Sequence, residues 1–357
     1  MIETHVVNAL LLPTLREEAA FSLLSFINGL VAPSFTFCAG LAFAITIQRK
    51  WDEYCSLNNS LWKYIARLTF ILLVGYSLHI PIFSLEKMSN VHDEYTWQGF
   101  FQSDILQVIS VTLLISVLLI VLIRNRKAYY AVISVLALLC IFSTPIIRDL
   151  DFSQIPIWVR GYFNQNYRSQ FPLFPWSAFL LSGVVIGNII LRYASQLDSA
   201  RVRRRLSVAA IVSIVISLVA EVVPVTMYPN HYFWSGSPEF FFVRLGIVSL
   251  LLAGCWFIEY RPAGFLRNAV TLIGTESLLV YVVHLLVVYG HTFEWSFIRL
   301  FGKTLGYLEC FALSIGLIVA MYGLALGWSK LKRWNKKYAT VIQYAMIAGV
   351  IVRFVAG

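Results

Sequence analysis

The sequence predicts an all-α fold: a polytopic integral membrane helix bundle with ten full spans and a truncated or partial span before them. Three observations support this fold class. Only 13% of the 357 residues are charged, whereas soluble domains carry about a quarter. Hydrophobic residues make up 59% of the chain, and the mean hydropathy is +0.75. Apolar runs of about 20 residues, enough to cross a bilayer, recur along the chain. Soluble enzymes, disordered chains and extracellular scaffolds are therefore excluded.

Each apolar run can cross the hydrocarbon core of a bilayer, which is about 30 Å thick. The runs cover approximately residues 19–48, 62–85, 103–123, 128–147, 173–191, 206–225, 240–259, 268–290, 305–328 and 338–356. The apolar stretch before Pro13 is shorter. It is interpreted as the second half of a span that begins upstream, or as a half-helix buried among its neighbours. No long linker interrupts the chain, so we predict one membrane domain over residues 1–357.

The charge balance and the cysteines narrow the function. The net charge is +10, but the basic residues stand in short clusters between apolar runs, as in membrane proteins, so nucleic-acid binding is not expected. The five cysteines are odd in number and lack CxxC spacing, and we predict neither a disulfide framework nor a metal site.

The orientation in the membrane follows from the Lys and Arg content of alternate loops, because cytoplasmic loops are enriched in these residues. One set of loops holds 18 of the 28 Lys and Arg residues, and the other set, together with the C-terminal tail, holds 8. The first set is assigned to the cytoplasm. The C-terminus is therefore predicted to be extracytoplasmic.

Ionisable side chains inside a membrane cost roughly a few kcal/mol, and each is therefore a functional candidate. With this orientation, five spans place polar side chains at a similar depth in the outer half of the bilayer. This outer polar layer contains Glu3, His5, Asp104, Gln107, Glu221, Arg244 and His284. Arg49, Lys63 and Arg67 lie instead near the cytoplasmic face and form a separate basic cluster.

His5 is the main catalytic candidate of the outer polar layer. A neutral imidazole can take a proton from an acceptor hydroxyl or amine and return it to a leaving group. Glu3 is two residues away and lies on a different helix face, which argues against a direct orienting role for its carboxylate. The alternative is a structural histidine that is bonded to another helix.

Three further candidates have a structural alternative that the sequence leaves open. A Ser-Asp pair at a helix start is typical of an N-cap, so Asp104 either caps its helix or takes part in catalysis. Arg244 either binds substrate or is a counter-ion of Glu221 or Glu239. Trp176 either contacts substrate or belongs to the interfacial aromatic belt.

Two stretches indicate where a pocket opens. Ser277, Tyr281 and His284 share one face of a Leu/Val-rich helix, and such a polar stripe must face inward, where it lines a pocket or bonds the bundle together. A proline in the first full span is expected to kink that span near Asn28 and to open space for a ligand or water. The segment GVVIG has the spacing of a helix-packing motif.

Five stretches of the sequence form an ordered set over most of the chain: MIETHVVNALL, NGLVAPSFTFCAGLAFAI, SDILQVIS, FPLFPWSAFLLSGVVIG and GTESLLVYVVHLLVVYG. Together they resemble the transmembrane acyltransferase superfamily, in particular its heparan-α-glucosaminide N-acetyltransferase-like branch and related bacterial membrane proteins. By this likeness His5 matches the histidine near the end of the family's first helix. The Arg-bearing front half of that helix has no counterpart here, and the role of its arginine is not assigned.

The resemblance implies a membrane acyltransferase that moves an acyl group, often acetyl, from cytoplasmic acyl-CoA to a sugar hydroxyl or amine on the outer side. His5 is expected to be the general base or to carry the acyl group briefly, with His284 and Asp104 as further catalytic residues. The residues expected to bind the acceptor are Glu3, Asn28, Gln107, Trp176, Glu221, Arg244, Ser277 and Tyr281. The basic cluster Arg49, Lys63 and Arg67 is expected to bind the CoA, and no metal is expected.

The expected partners are the lipid bilayer of a bacterial inner membrane, acyl-CoA and a glycan or small sugar acceptor, and a homodimer remains open. The main alternative function is a secondary transporter that uses the same polar side chains for proton-coupled transport. The two halves of the sequence show no convincing inverted repeat, which argues against that alternative. A purely structural subunit is the third interpretation, and the outer polar layer argues against it.

Overall fold

The computed structural model describes residues 1–194, 198–223, 228, 233–259, 264–290 and 295–356. Within these ranges the secondary structure is helical, which confirms the predicted all-α class. The one extended contact in the described part of the chain is a bridge between Leu11 and Leu305.

The described residues form eighteen α-helices and two short 3-10 helices, Pro13–Glu17 and Gln165–Tyr167. The α-helices are α1 (Ile2–Leu10), α2 (Ala19–Asn28), α3 (Val31–Cys55), α4 (Asn59–Ser77), α5 (Leu85–Ser89), α6 (Glu94–Phe100), α7 (Ile105–Ile123), α8 (Arg126–Asp149), α9 (Ile157–Arg160), α10 (Leu173–Ala194), α11 (Ser199–Val222), α12 (Phe233–Gly236), α13 (Pro238–Glu259), α14 (Phe265–Thr275), α15 (Ser277–Tyr289), α16 (Phe297–Phe301), α17 (Tyr307–Trp334) and α18 (Lys336–Ala356).

Eight helical segments within the described ranges are long and apolar enough to cross a membrane, which confirms the integral membrane class. They are the joined helices α2 and α3, together with α7, α8, α10, α11, α13, α17 and α18. The pair α14 and α15 makes a ninth if it is counted as one broken span. The predicted span 62–85 has no counterpart in this set, because α4 ends at Ser77 and carries two basic residues among its apolar ones.

Two predicted spans are interrupted. The run 268–290 consists of α14 and α15, which bend by 82° at Glu276. The run 19–48 is broken at Gly29 and Leu30, between α2 and α3. The break lies beside Asn28, where the sequence analysis expected a kink, and Pro33 follows it in the first turn of α3, where proline is tolerated.

The described chain packs as two compact units. The first unit comprises Met1–Gly29, Ile80–His92 and Arg261–Gly357, and the second comprises Leu30–His79 and Asp93–Tyr260. The residues of the predicted outer polar layer are divided between them: Glu3, His5 and His284 belong to the first unit, and Asp104, Gln107, Glu221 and Arg244 belong to the second.

The first unit contains α1, a helix of only nine residues. Its side chains Val6 and Leu10 are fully buried in a core that includes Val288 of α15 and Cys310 of α17. The amide of Leu305 donates to the carbonyl of Leu10 at 3.0 Å, which holds the end of α1. Because so short a helix is not stable by itself, this burial fixes α1 and the polar side chains it carries.

In the second unit, α3 and α10 pack against each other at glycines. Gly40 of α3 faces the carbonyl oxygen of Leu180, and Gly183 of α10 faces the carbonyl oxygen of Phe37. A Cβ atom at either glycine would overlap the facing oxygen, so only glycine allows this approach. The GVVIG segment packs helices as predicted, and this contact positions α10, which carries Trp176 near its start.

Candidate functional site

Two histidines and two tyrosines form an aromatic cluster in the first unit. The ring centroids of His5 and His284 are 5.2 Å apart, with the planes tilted by 50°. The ring of Tyr289 meets His5 edge-on at 5.6 Å, and its hydroxyl donates to the backbone carbonyl of His5 at 3.1 Å. Tyr281 meets His284 edge-on, also at 5.6 Å. The structure thus places the two histidines that the sequence analysis proposed as catalytic next to each other.

The hydrogen bonding of His284 determines which of its ring nitrogens carries the proton. Nδ1 lies 2.7 Å from the carbonyl oxygen of Val280, which can only accept, so Nδ1 carries the hydrogen. Nε2 then holds a lone pair, and in the described part of the chain this buried atom has no hydrogen-bond partner. His284 is 1% exposed, whereas His5 is half-buried. The cluster therefore contains a neutral imidazole that can accept a proton.

Glu3 and Asn28 meet on another side of α1. The Asn28 side-chain amide donates to Glu3 Oε1 at 3.4 Å, a long hydrogen bond. Two residues predicted to bind the acceptor are thus neighbours. Another of them in this unit, Ser277, is the first residue of α15, seven residues before His284 and about 10 Å along the helix axis.

The break between α14 and α15 carries an ion pair between a buried carboxylate and a partly exposed lysine. Glu276, which is 8% exposed, lies 2.5 Å from Lys332 Nζ of α17. An uncompensated carboxylate at such depth would be costly, and Lys332 neutralises it. Sequence reasoning did not identify Lys332 as this partner, because nothing in the periodicity of α17 relates it to α15.

In the second unit, Asp104 binds both its own helix and a histidine. Asp104 Oδ1 accepts from the amide of Ile105 at 2.6 Å, so Asp104 is the N-cap of α7. Asp104 Oδ2 lies 3.2 Å from His79 Nε2, and His79 Nδ1 lies 2.6 Å from the side-chain amide nitrogen of Gln102. Sequence reasoning missed His79 and Gln102. The signal available for His79 was its position inside the predicted span 62–85, where an ionisable side chain is a functional candidate.

Substitutions at Asp104 are expected to separate its capping role from the role of its charge. Asp104→Ala removes the cap and the partner of His79, and we expect it to lower the free energy of unfolding by about 1–2 kcal/mol. Asp104→Asn keeps a capping oxygen, so thermal unfolding of this variant should differ little from that of the parent. If acyl transfer falls in Asp104→Asn at unchanged stability, the charge of Asp104 contributes to the reaction; equal destabilisation of both variants would contradict the capping role.

Gln107 is fully buried and faces α4. Its amide oxygen lies 2.7 Å from the position that a Cβ atom would take at Gly75, so a larger residue there would force the Gln107 side chain to move. Neither amide atom of Gln107 has a hydrogen-bond partner in the described part of the chain. Buried amides in this state commonly hold an ordered water molecule, so the predicted contact of Gln107 with a substrate remains a prediction.

Trp176 and Arg244 line one open cleft in the second unit. The guanidinium of Arg244 lies over the ring of Phe240 at 4.0 Å. Arg244 forms no ion pair with Glu221 or Glu239 among the residues the structure describes, so the counter-ion interpretation is not supported. Glu221 is exposed near the end of α11 and does not line the cleft.

The predicted CoA-binding residues lie near the junction of α3 and α4. Arg49, Lys63 and Arg67 are all exposed, and the neighbouring Lys50 donates to Ser60 at 3.0 Å across the junction. An exposed basic cluster of this kind can bind phosphate groups. No group of three or more possible metal ligands occurs in the described ranges of the chain.

Comparison with protein families gives one match that is described as heparan-α-glucosaminide N-acetyltransferase, catalytic, and it covers residues 1–234. The matched part contains His5, Asp104 and Trp176 and ends before Arg244 and His284. Neither a curated protein nor a solved structure matches the chain significantly. An acetyltransferase family does not favour the transporter alternative. Because the match covers well over half of the chain, this integral membrane protein belongs to the heparan-α-glucosaminide N-acetyltransferase catalytic-domain family.

Proposed function

We propose that the protein transfers an acetyl group from cytoplasmic acetyl-CoA to a hydroxyl or amine of a sugar on the outer side of a bacterial inner membrane. The observation that carries this proposal is the contact between His5 and His284, which places a buried neutral imidazole beside the histidine that resembles the family's catalytic one. Proton transfer by a positioned imidazole is the chemistry that acyl transfer requires.

In the proposed reaction, His5 takes the proton of the acceptor hydroxyl or amine as that atom bonds to the thioester carbon. The carbon–sulfur bond of acetyl-CoA then breaks, and the leaving thiolate takes up a proton to give free CoA. In the alternative route, His5 itself carries the acetyl group between CoA and the acceptor. His284 supports either route, because its Nε2 lone pair can hold a proton next to His5.

The two sides of the membrane have different proposed roles. The basic cluster of Arg49, Lys63 and Arg67 lies on the side assigned to the cytoplasm, and there it would bind the phosphates of CoA. The acceptor would bind on the outer side, where the C-terminus is also predicted to lie. Asp104 and Ser277 are further candidates for the acceptor site or its support.

The direct test uses the full chain, purified in detergent and supplied with radiolabelled acetyl-CoA. We expect saturable binding of acetyl-CoA and slow release of free CoA, which becomes faster when an acceptor sugar is added. A folded protein that neither binds nor cleaves acetyl-CoA would contradict the proposal.

The double substitution Lys63→Gln with Arg67→Gln removes two positive charges. It should raise the KM for acetyl-CoA by about tenfold and leave kcat nearly unchanged. The reason is that these side chains would hold the phosphates of CoA and would not touch the reacting atoms. Lys336→Gln, which removes an exposed charge at the start of α18, is the matched control and should leave KM unchanged. An unchanged KM in the double variant would remove the basic cluster from the CoA site.

A further inference from the structure

We propose that the cleft of the second unit is a binding site for a sugar that carries an anionic group, a phosphate or a carboxylate. The cleft lies between α8, α10, α12 and α13 and the 161–172 segment, and it encloses about 550 Å³ of space, part of which is open to the surroundings. As the acceptor subsite it rests on the proposed acyltransferase function, but the cleft can be tested separately by binding.

Among the residues that the structure describes, six aromatic rings line the cleft. The lining rings are those of Phe163, Phe174, Trp176, Phe179, Phe240 and Phe241. Trp176 is held edge-on by Phe171 at 4.8 Å and packs near Phe179 at 6.0 Å, so its ring has a fixed orientation. A rigid indole presents a flat apolar face with a polar edge, which suits the C–H face of a sugar ring and its hydroxyl groups.

Two guanidinium groups give the cleft its charge. Arg148 at the end of α8 and Arg244 on α13 both line it, and no carboxylate is among the lining residues that the structure describes. Arg244 forms no ion pair with any described residue, and its guanidinium lies over the ring of Phe240. A guanidinium in such surroundings favours an anion, because its planar fork matches a carboxylate or phosphate group.

The other polar groups of the cleft are already occupied. The Asn164 amide donates to the carbonyls of Ile147 at 3.2 Å and Leu150 at 2.8 Å. The Ser237 hydroxyl donates to Phe233 at 3.2 Å. The amides and hydroxyls of the wall thus hold the protein together, and the guanidinium of Arg244 is the donor that best suits a ligand.

The segment that carries Asn164, which forms one wall of the cleft, is held by hydrogen bonds of the nearby Tyr167. The Tyr167 hydroxyl donates to Asp151 Oδ1 at 2.7 Å and accepts from the amide of Phe152 at 2.7 Å. The hydrogen bond from Tyr167, followed by those from Ser153, lowers the pKa of Asp151. The carboxylate therefore stays ionised, and its contribution to this contact is lost only as the pH falls through that lowered pKa. The segment that carries Asn164 is held in place at neutral pH.

The test is ligand-observed NMR on the full chain in nanodiscs of phosphatidylcholine alone, with glucose 1-phosphate as the probe. Glucuronate serves as the carboxylate probe and glucose as the neutral control. Phosphatidylglycerol, added to separate nanodiscs, tests whether the phosphate group of a lipid binds instead. We expect glucose 1-phosphate to bind, to weaken with added salt and to be displaced by glucuronate but not by glucose. Arg244→Gln should weaken binding by about tenfold, and Arg244→Lys by less.

A second variant fills the cleft without changing its charge. A side chain at Gly236 would lie beside the guanidinium of Arg148, since a Cβ atom there is 3.8 Å from Arg148 Nη1 and has no close clash. Gly236→Leu should therefore block the probe. Gly254→Leu on α13, where a Cβ atom has no neighbour within 4 Å, is the matched control and should not.

The proposal is overturned if none of the anionic sugars binds, if Arg244→Gln and Gly236→Leu bind the probe as the parent does, or if only phosphatidylglycerol binds. Turnover of acetyl-CoA by the same preparation reports on the proposed function separately. If the probe does not bind but acetyl-CoA is still turned over, the cleft alone is rejected. If the probe binds but acetyl-CoA is not turned over, the acyltransferase function alone is rejected.

Discussion

Replacing His5 by alanine is expected to lower the rate of acetyl transfer by roughly 10²- to 10⁴-fold, the range that a positioned general base contributes. His5 lies on α1, a helix fixed by the burial of Val6 and Leu10, and its ring contacts His284 and Tyr289. The variant leaves this apolar core intact, so the protein should remain folded. The loss should appear in kcat, while binding of acetyl-CoA changes little, because in either proposed route His5 takes part in the transfer step and does not hold the phosphates of CoA.

Two companion variants make this result specific. Tyr289→Phe keeps the ring against His5 but removes the hydroxyl that donates to the His5 carbonyl, and its activity should fall by less than tenfold. If His5 and His284 act together, a double alanine variant should be hardly slower than the slower single variant. Steady-state rates, with folding checked by size-exclusion chromatography, decide this. Transfer retained in a folded His5→Ala protein would remove His5 from the mechanism.

The sequence alone places polar residues at a common depth, but it does not predict which of them meet. The depth argument places His5 and His284 in one layer, and the structure brings their rings into contact. The same argument gives Asp104 no partner, whereas His79 and Gln102 complete its cluster. Helical periodicity fixes which residues share a face of one helix, but how neighbouring helices are rotated depends on the packing of their whole surfaces.

Breaks in helices are a second feature that hydropathy does not show. The run that contains α14 and α15 stays apolar on both sides of Glu276, so it is interpreted as one span although the helices bend by 82°. At this bend Glu276 pairs with Lys332, which lies more than fifty residues further along the chain, and hydropathy does not show such a contact. In contrast, the glycines of the GVVIG segment are visible in the sequence, because their spacing alone predicts close packing.

Among the substitutions considered, we expect the largest loss of stability where a glycine between α3 and α10 is replaced. Gly183→Ala should destabilise the protein by about 3 kcal/mol or more, because the new Cβ atom would overlap the carbonyl oxygen of Phe37 and force α3 and α10 apart. Neither partner is a flexible side chain, so the strain cannot be relieved locally. Gly40→Ala should behave alike, since its Cβ atom would overlap the carbonyl oxygen of Leu180. The measurement is the thermal unfolding midpoint in detergent.

Gly254→Ala is the matched control, and its expected effect has the opposite sign. It lies on α13 in the same unit, where a Cβ atom has no neighbour within 4 Å, so alanine only raises helix propensity, by up to about 1 kcal/mol. A parent-like midpoint for Gly183→Ala would show that the two helices approach less closely than described. Since α10 carries Trp176, a separation of α3 and α10 should also weaken binding of glucose 1-phosphate, and Gly254→Ala should leave that binding unchanged.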